Sequence, residues 1–205
     1  MNPRPAELAD NSTWVTLEIP ASSVELFEFL KNTERLFRLN PYLDIKHWEE
    51  KEGGQQMHLQ ALNEMNGVDY DLHINLESMQ PGISFLLGYS QGLKKALEIS
   101  LQAAPIPGKS ILTLREHYHQ AWQGEAQLKE IDHSLIPWGN AIRLYVRAMK
   151  AWSWFWPYRW YKEKFWLSMR PTHRRIARML VWVTLLEFIV FLFVFVIYWL
   201  ELARN

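Results

Sequence analysis

The chain has 205 residues, its 22 basic and 22 acidic side chains cancel to a net charge of zero, and it contains no cysteine. That length suits one soluble core with a short appendage, and the missing thiols exclude a disulfide scaffold, cysteine-ligated zinc and thiol chemistry. The neutral total hides an asymmetry: residues 1–141 carry 19 acidic and 11 basic side chains, a balance of −8, whereas residues 142–205 carry 3 acidic and 11 basic, a balance of +8. A nucleic-acid binder would carry its positive charge on the soluble part, so this distribution argues against nucleic acid and for anionic lipid headgroups.

In chain order, residues 1–12 hold Pro3 and Pro5 without an apolar run, which predicts a disordered start and no secretory signal. Val15, Leu17 and Ile19 alternate with Thr16 and Glu18, predicting a half-buried strand that Pro20 ends. Ser22 and Glu25 have capping-box spacing for a helix with Val24, Phe27 and Leu30 on its apolar face, and Thr33 is the expected cap of a shorter helix through Leu39. The period then changes to two. Val68, Tyr70, Leu72, Ile74 and Leu76 alternate with Asp69, Asp71, His73 and Asn75, and weaker strands are predicted over 43–50, 56–62, 83–89, 95–101 and 109–119. Short Gly- and Pro-containing connections make these an antiparallel meander, curved, with an inner face that needs covering.

The cover is predicted from Leu135 onward, where Trp138, Ile142, Tyr145, Met149, Trp152 and Trp156 recur at helical intervals as one stripe, ended or kinked by Pro157. From Ala151 to Trp166 nine of sixteen residues are aromatic, with Arg159, Lys162 and Lys164 interleaved. Trp152, Trp154, Trp156, Trp160 and Trp166 with those cations suit the lipid headgroup zone, and the interfacial segment is assigned to residues 157–178. The run 179–200 then holds sixteen Leu, Ile, Val or Phe among 22 residues. At about 1.5 Å of rise per residue it spans about 33 Å, enough for a hydrocarbon core of roughly 30 Å.

Glu187 near the middle costs on the order of 3 kcal/mol, less than sixteen residues worth about 0.3–0.6 kcal/mol each supply. A carboxyl in that setting points to contact with another membrane protein, or to a tolerated acid. Arg170, Arg174, Arg175 and Arg178 precede the run and only Arg204 follows it. The positive-inside rule therefore predicts a single-pass protein with its N-terminal domain in the cytoplasm and a short tail, 201–205, outside.

The element order resembles the START-like superfamily, also called SRPBCC or the birch-pollen-allergen fold, which includes polyketide cyclase and lipid-transport members. The stretch from Leu17 through Pro20 to Leu30, followed by Leu39-Asn40-Pro41-Tyr42-Leu43, is similar to the opening of many bacterial members. The resemblance covers residues 13–156 and implies an α+β helix-grip domain, with a curved antiparallel sheet wrapped on a long C-terminal helix and a cavity for an apolar ligand between them. A single transmembrane helix follows.

Periodicity alone selects the lining candidates: Leu72, Ile74, Leu97, Ile99, Leu112, Leu114, Trp138, Ile142, Tyr145 and Met149. A core filled by side chains is the competing reading. Walker, dinucleotide-glycine, HExxH and GxSxG motifs are all missing from the sequence. His117 and His119 share a strand face with Thr113 and Arg115, which reads as a solvent-facing pair rather than a metal site. Glu116 and Tyr118 share the face of Leu112 and Leu114, so an acid and a phenol are expected inside the cavity.

No cofactor, metal or catalytic residue is assigned. The expected activity is binding or local transfer of a lipid, isoprenoid or quinone at the cytoplasmic face of a bacterial-type inner membrane, with the aromatic-basic segment holding the cavity mouth at the interface. The alternatives are an accessory subunit of a membrane complex and a cyclase-like enzyme acting on an apolar substrate.

Overall fold

The computed structural model describes residues 12–119 and 135–204. They form two compact units, divided between Ser168 and Met169. The disordered start expected over 1–12 lies outside the described residues except for Ser12, which opens the first strand, and of the expected tail Asn205 lies outside them.

The first unit is built on seven strands: β1 Ser12–Ile19, β2 Leu43–Lys51, β3 Gln56–Asn63, β4 Val68–Gln80, β5 Ser84–Tyr89, β6 Lys94–Ala103 and β7 Ser110–Tyr118. All pair antiparallel in the order β1-β7-β6-β5-β4-β3-β2. The meander is the predicted one, because hydrophobic alternation with short turns fixes both the face and the register. Three extra residues interrupt the ladders: Lys46 in β2, Glu77 in β4 and Lys95 in β6. Each such bulge bends its strand and reverses which face the following side chains take.

Between β1 and β2 the chain crosses from one sheet edge to the other through α1 (Ser23–Leu30) and α2 (Thr33–Arg38). The capping box is present, with Glu25 N–H donating to Ser22 Oγ at 3.3 Å and Ser22 N–H to Glu25 Oε2 at 3.1 Å. The buried face of α1 is Leu26, Phe27 and Leu30, whereas Val24 is exposed. The expected face was rotated: Leu26 and Leu30, four apart, flank Phe27 and turn Val24 away from the sheet. Asn32, not Thr33, caps α2, accepting from Arg35 N–H at 2.8 Å. Thr33 is already the first helical residue, and its buried hydroxyl donates to Met57 Sδ.

Helix α3 (Leu135–Ala151) closes the grip. Trp138, Ile142 and Tyr145 are buried, and buried Gly139 permits close approach to β1, since a Cβ there would run into the Leu17 side chain. The helix stops earlier than the stripe implied, so Trp152 and Trp156 are not part of its buried face and are exposed. Pro157 explains the break. In a continuous helix its ring would strike the carbonyl of Ser153, four residues back, and the proline instead opens the short α4 (Trp156–Tyr161), followed by a π-helical turn over Lys162–Trp166.

The second unit is α5, Pro171–Arg204. It is long and apolar enough to cross a membrane, with mean hydropathy 2.8 in its most apolar stretch. Proline starts the helix, and Arg174, Arg175 and Arg178 occupy the turns before the apolar run.

Candidate functional site

A cavity of about 510 Å³ opens inside the first unit, between the inner sheet face, the end of α2 and the first turns of α3. Its apolar wall includes Phe37, Leu43, Leu59, Tyr70, Leu72, Tyr89, Leu93 and Trp138. Trp138 is held in place by Nε1 donating to the Leu36 carbonyl at 2.8 Å and by a tilted contact with Phe37, whose ring also meets Trp48. The rim reaches solvent through exposed Asp69, Gln91 and Leu93.

One corner of the cavity is polar. Lys94 Nζ donates to Glu116 Oε1 at 2.6 Å, and Tyr118 Oη donates to Glu116 Oε2 at 2.9 Å and lies 3.3 Å from Thr13 Oγ1. Glu116 is fully buried and Lys94 half-buried. Burial, reinforced by the Glu116 carboxylate, pushes the Tyr118 phenol well above its ordinary range, so it stays protonated and acts as a donor. The bulge at Lys95 creates this corner by bringing Lys94 opposite Tyr118. Lys94 was not among the sequence candidates, because simple alternation cannot register an inserted residue. The inward placement of Glu116 and Tyr118 follows strand parity as expected.

Of the periodicity candidates, Leu72 and Trp138 line this cavity. Ile74, Leu97, Ile99, Leu112, Leu114 and Ile142 face the interior but are packed into the core, where α1 fills the opposite part of the sheet concavity and Phe27 meets Phe85 edge to face. Tyr145 and Met149 line a second hollow of about 420 Å³ between α1 and the later turns of α3. The Tyr145 hydroxyl has no hydrogen-bond partner among the described residues, and burial pushes its pKa up to about 12. Arg35, Lys150 and Arg159 line this second hollow together with Glu25 and Glu163, so its charges nearly balance.

The aromatic-basic segment borders the second hollow, through Ser153, Arg159 and Glu163. It does not frame the mouth of the larger cavity: Trp138 and Ala151 are thirteen residues apart on α3, about 20 Å along the helix axis. The expectation that this segment would hold that mouth is corrected by this spacing. Trp152, Trp154, Trp156 and Trp160 are exposed, as are Arg159 and Lys164. Trp166 is half-buried against Tyr145, and Lys162 Nζ sits 4.1 Å from its ring centroid, so these two residues brace the domain.

His117 departs from the sequence reading. It is buried and its Nε2 lies 3.1 Å from Glu98 Oε2, a contact that holds the Glu98 carboxyl below its usual range; His119 is exposed just beyond β7. Strand parity assigned the sheet face correctly but carries no information about what covers that face. Glu187 lies on α5, far along the apolar run from either hollow in sequence.

No protein-family model matches the chain, and no curated protein matches it. Solved structures do. The protein XoxI from Bacillus cereus is 15% identical with a TM-score of 0.54, covering 68% of this chain and 98% of that one. A START superfamily protein from Mycobacterium smegmatis is also 15% identical, with a TM-score of 0.52 and coverage of 67% and 98%. Identity at this level establishes architecture and not activity. With the seven-stranded meander, the two crossing helices and the gripping α3 in the same order, the chain has the START-like fold.

Proposed function

We propose that this chain is a membrane-tethered binding protein, which takes up a small apolar molecule with one polar end and presents or transfers it locally. The observation that carries the reading is the 510 Å³ cavity with its polar corner at Lys94, Glu116 and Tyr118. That volume lies in the range of about 300–1,000 Å³ typical of small-molecule sites, which combine apolar walls with a few placed polar groups. A ligand carbonyl or hydroxyl can meet Lys94 and Tyr118 while its hydrocarbon part lies along Leu59, Leu72, Tyr89 and Trp138. Lipids, isoprenoids and quinones all have this build.

In this proposal α5 crosses the bilayer at 179–200, and the arginines before it keep the binding domain on the cytoplasmic side. Four exposed tryptophans with Arg159 and Lys164 rest in the headgroup layer. The larger mouth then lies toward the other end of α3 from that segment, which suits handing the ligand to a neighbouring protein. A tether this short favours local exchange over long-distance shuttling.

A second reading, that of an enzyme, draws on the same corner, because Glu116 and Tyr118 face inward. The tight Lys94–Glu116 pairing and the protonated phenol suit anchoring better than proton abstraction. A third, that of an accessory subunit, rests on Glu187 within an otherwise apolar run.

The binding reading is tested by titrating the full chain in detergent with the apolar fluorophore 1-anilinonaphthalene-8-sulfonate, beside a Leu72→Trp variant that fills the cavity. Saturable binding lost in the variant supports it. Equal binding by both chains would place the probe elsewhere and overturn the cavity as the site.

A further inference from the structure

The outer face of the sheet carries a cluster that shares only Asp71 with the lining of the cavity. His47 and Glu49 lie on β2, His58 on β3, and Asp71 and His73 on β4, with Glu49 directly opposite His58 and His58 directly opposite His73. Among the described residues, one ligand atom from each of His47, Glu49 and His58 lies within 4.8 Å of the other two. The His58 ring stacks on His73 at 4.6 Å between centroids and meets His47 edge to face at 5.8 Å. On its far side, His58 Nε2 is 2.6 Å from Asp71 Oδ1, and that bond holds the Asp71 carboxyl below its usual range.

The bulge at Lys46 assembles the cluster. Ile45 pairs with Ala61 but His47 pairs with Gln60, so one residue is inserted and the parity of β2 reverses. Without the insertion His47 would follow Leu43 and Ile45 toward the core and Trp48 would face out. With it, Trp48 packs against the core while His47 and Glu49 share the outer face with His58. The apolar requirement of Trp48 and the alignment of three donors are satisfied by the same inserted residue.

We infer that His47, Glu49 and His58 form a binding site for a divalent first-row cation of the zinc type. Two neutral imidazoles and a carboxylate are a donor set that zinc accepts, with metal–ligand distances of about 2.0–2.2 Å and neighbouring donor atoms roughly 3.3 Å apart. The exposed side chains of His47 and Glu49 close the remaining gap by rotating about their own bonds. Asp71 acts as a positioning residue. Its bond to Nε2 leaves Nδ1 of His58 for the metal and orients the ring, the usual arrangement behind a metal-ligating histidine. Among the described residues Lys51 Nζ competes for Glu49, lying 3.5 Å from its Oε1 in a solvent-exposed pair of little strength. Three protein donors on an open face leave the other coordination positions to water or to a group brought by a second molecule. The three proposed ligands lie outside the cavity lining, which only Asp71 shares, and either site can fail without the other.

The test is zinc retention by the untagged full chain in detergent, measured by equilibrium dialysis with elemental analysis, and cobalt(II) substitution followed by visible absorption. One metal per chain is expected, with the strong visible bands of a low-coordinate cobalt site. His47→Ala, Glu49→Gln and His58→Ala should each weaken zinc at least about tenfold, and Asp71→Asn about 10- to 100-fold. His119→Ala, away from the cluster, should change nothing. Circular dichroism verifies folding of each variant. Zinc retention unchanged in a His47→Ala/His58→Ala chain, or a wild-type chain that retains no more than that double variant, would overturn the assignment.

Discussion

The sheet domain and α5 use the same apolar residue types to opposite ends. In the domain, Leu97 and Leu112 are completely buried, because they recur at every second position and the strand between polar neighbours turns them all to one side. In α5, Phe193 is 66% exposed and every neighbour through the apolar run is exposed as well, because the residues cover the whole circumference. Pattern, not hydrophobicity, separates a core from a surface that needs lipid. The first unit finds its apolar solvent in itself. The second has none among the described residues.

The largest effect that would probe this contrast is expected at Trp138. Trp138→Ala removes the cavity floor, the bond to the Leu36 carbonyl and the contact with Phe37, and should cost about 3–5 kcal/mol by urea denaturation. In α5, Leu186→Arg should leave the domain's denaturation midpoint unchanged while disfavouring insertion by about 3 kcal/mol, read as release of the chain from membranes on alkaline washing. A midpoint shift in that variant would break the separation between the two regions. Ser22→Ala, which removes one half of the α1 capping box, should lower stability by about 1 kcal/mol.

The smallest effect concerns pH. The Tyr145 phenol is raised from 10.0 to about 12, so its neutral form is the one the fold favours. Its contribution is fully present below the unfolded value and is lost as pH rises from about 10 through the folded value. Tyr145→Phe should therefore be close to neutral near pH 7 and flatten the loss of stability in the alkaline range, measured as urea midpoints at about pH 9 and about pH 11.

Elements governed by local periodicity were legible in the sequence. The alternation from Val68 to Leu76, the Ser22–Glu25 capping box and the inward parity of Glu116 and Tyr118 all follow from spacing within one segment. Features made by insertions or by pairing between segments were not. The bulges at Lys46 and Lys95 carry no periodic signal, yet the first turns His47 outward and the second brings Lys94 to the cavity. His47, His58 and His73 fall on three strands with no local motif, and only the register brings them together. The stripe through Trp152 and Trp156 overran the true end of α3 because helical spacing persists in sequence even where Pro157 forbids the helix. Which part of the inner face stays open depends on how far α1 reaches into the sheet, a tertiary property.

In the proposed function the cavity beside Trp138 holds an apolar molecule while the chain is at the membrane. Native mass spectrometry of the full chain released from membranes in mild detergent, with its organic extract identified in parallel, tests this. One discrete adduct per chain, the same compound in the extract, and loss of both in the Leu72→Trp variant are expected. Wild-type and Leu72→Trp chains with identical spectra and identical extracts would contradict it.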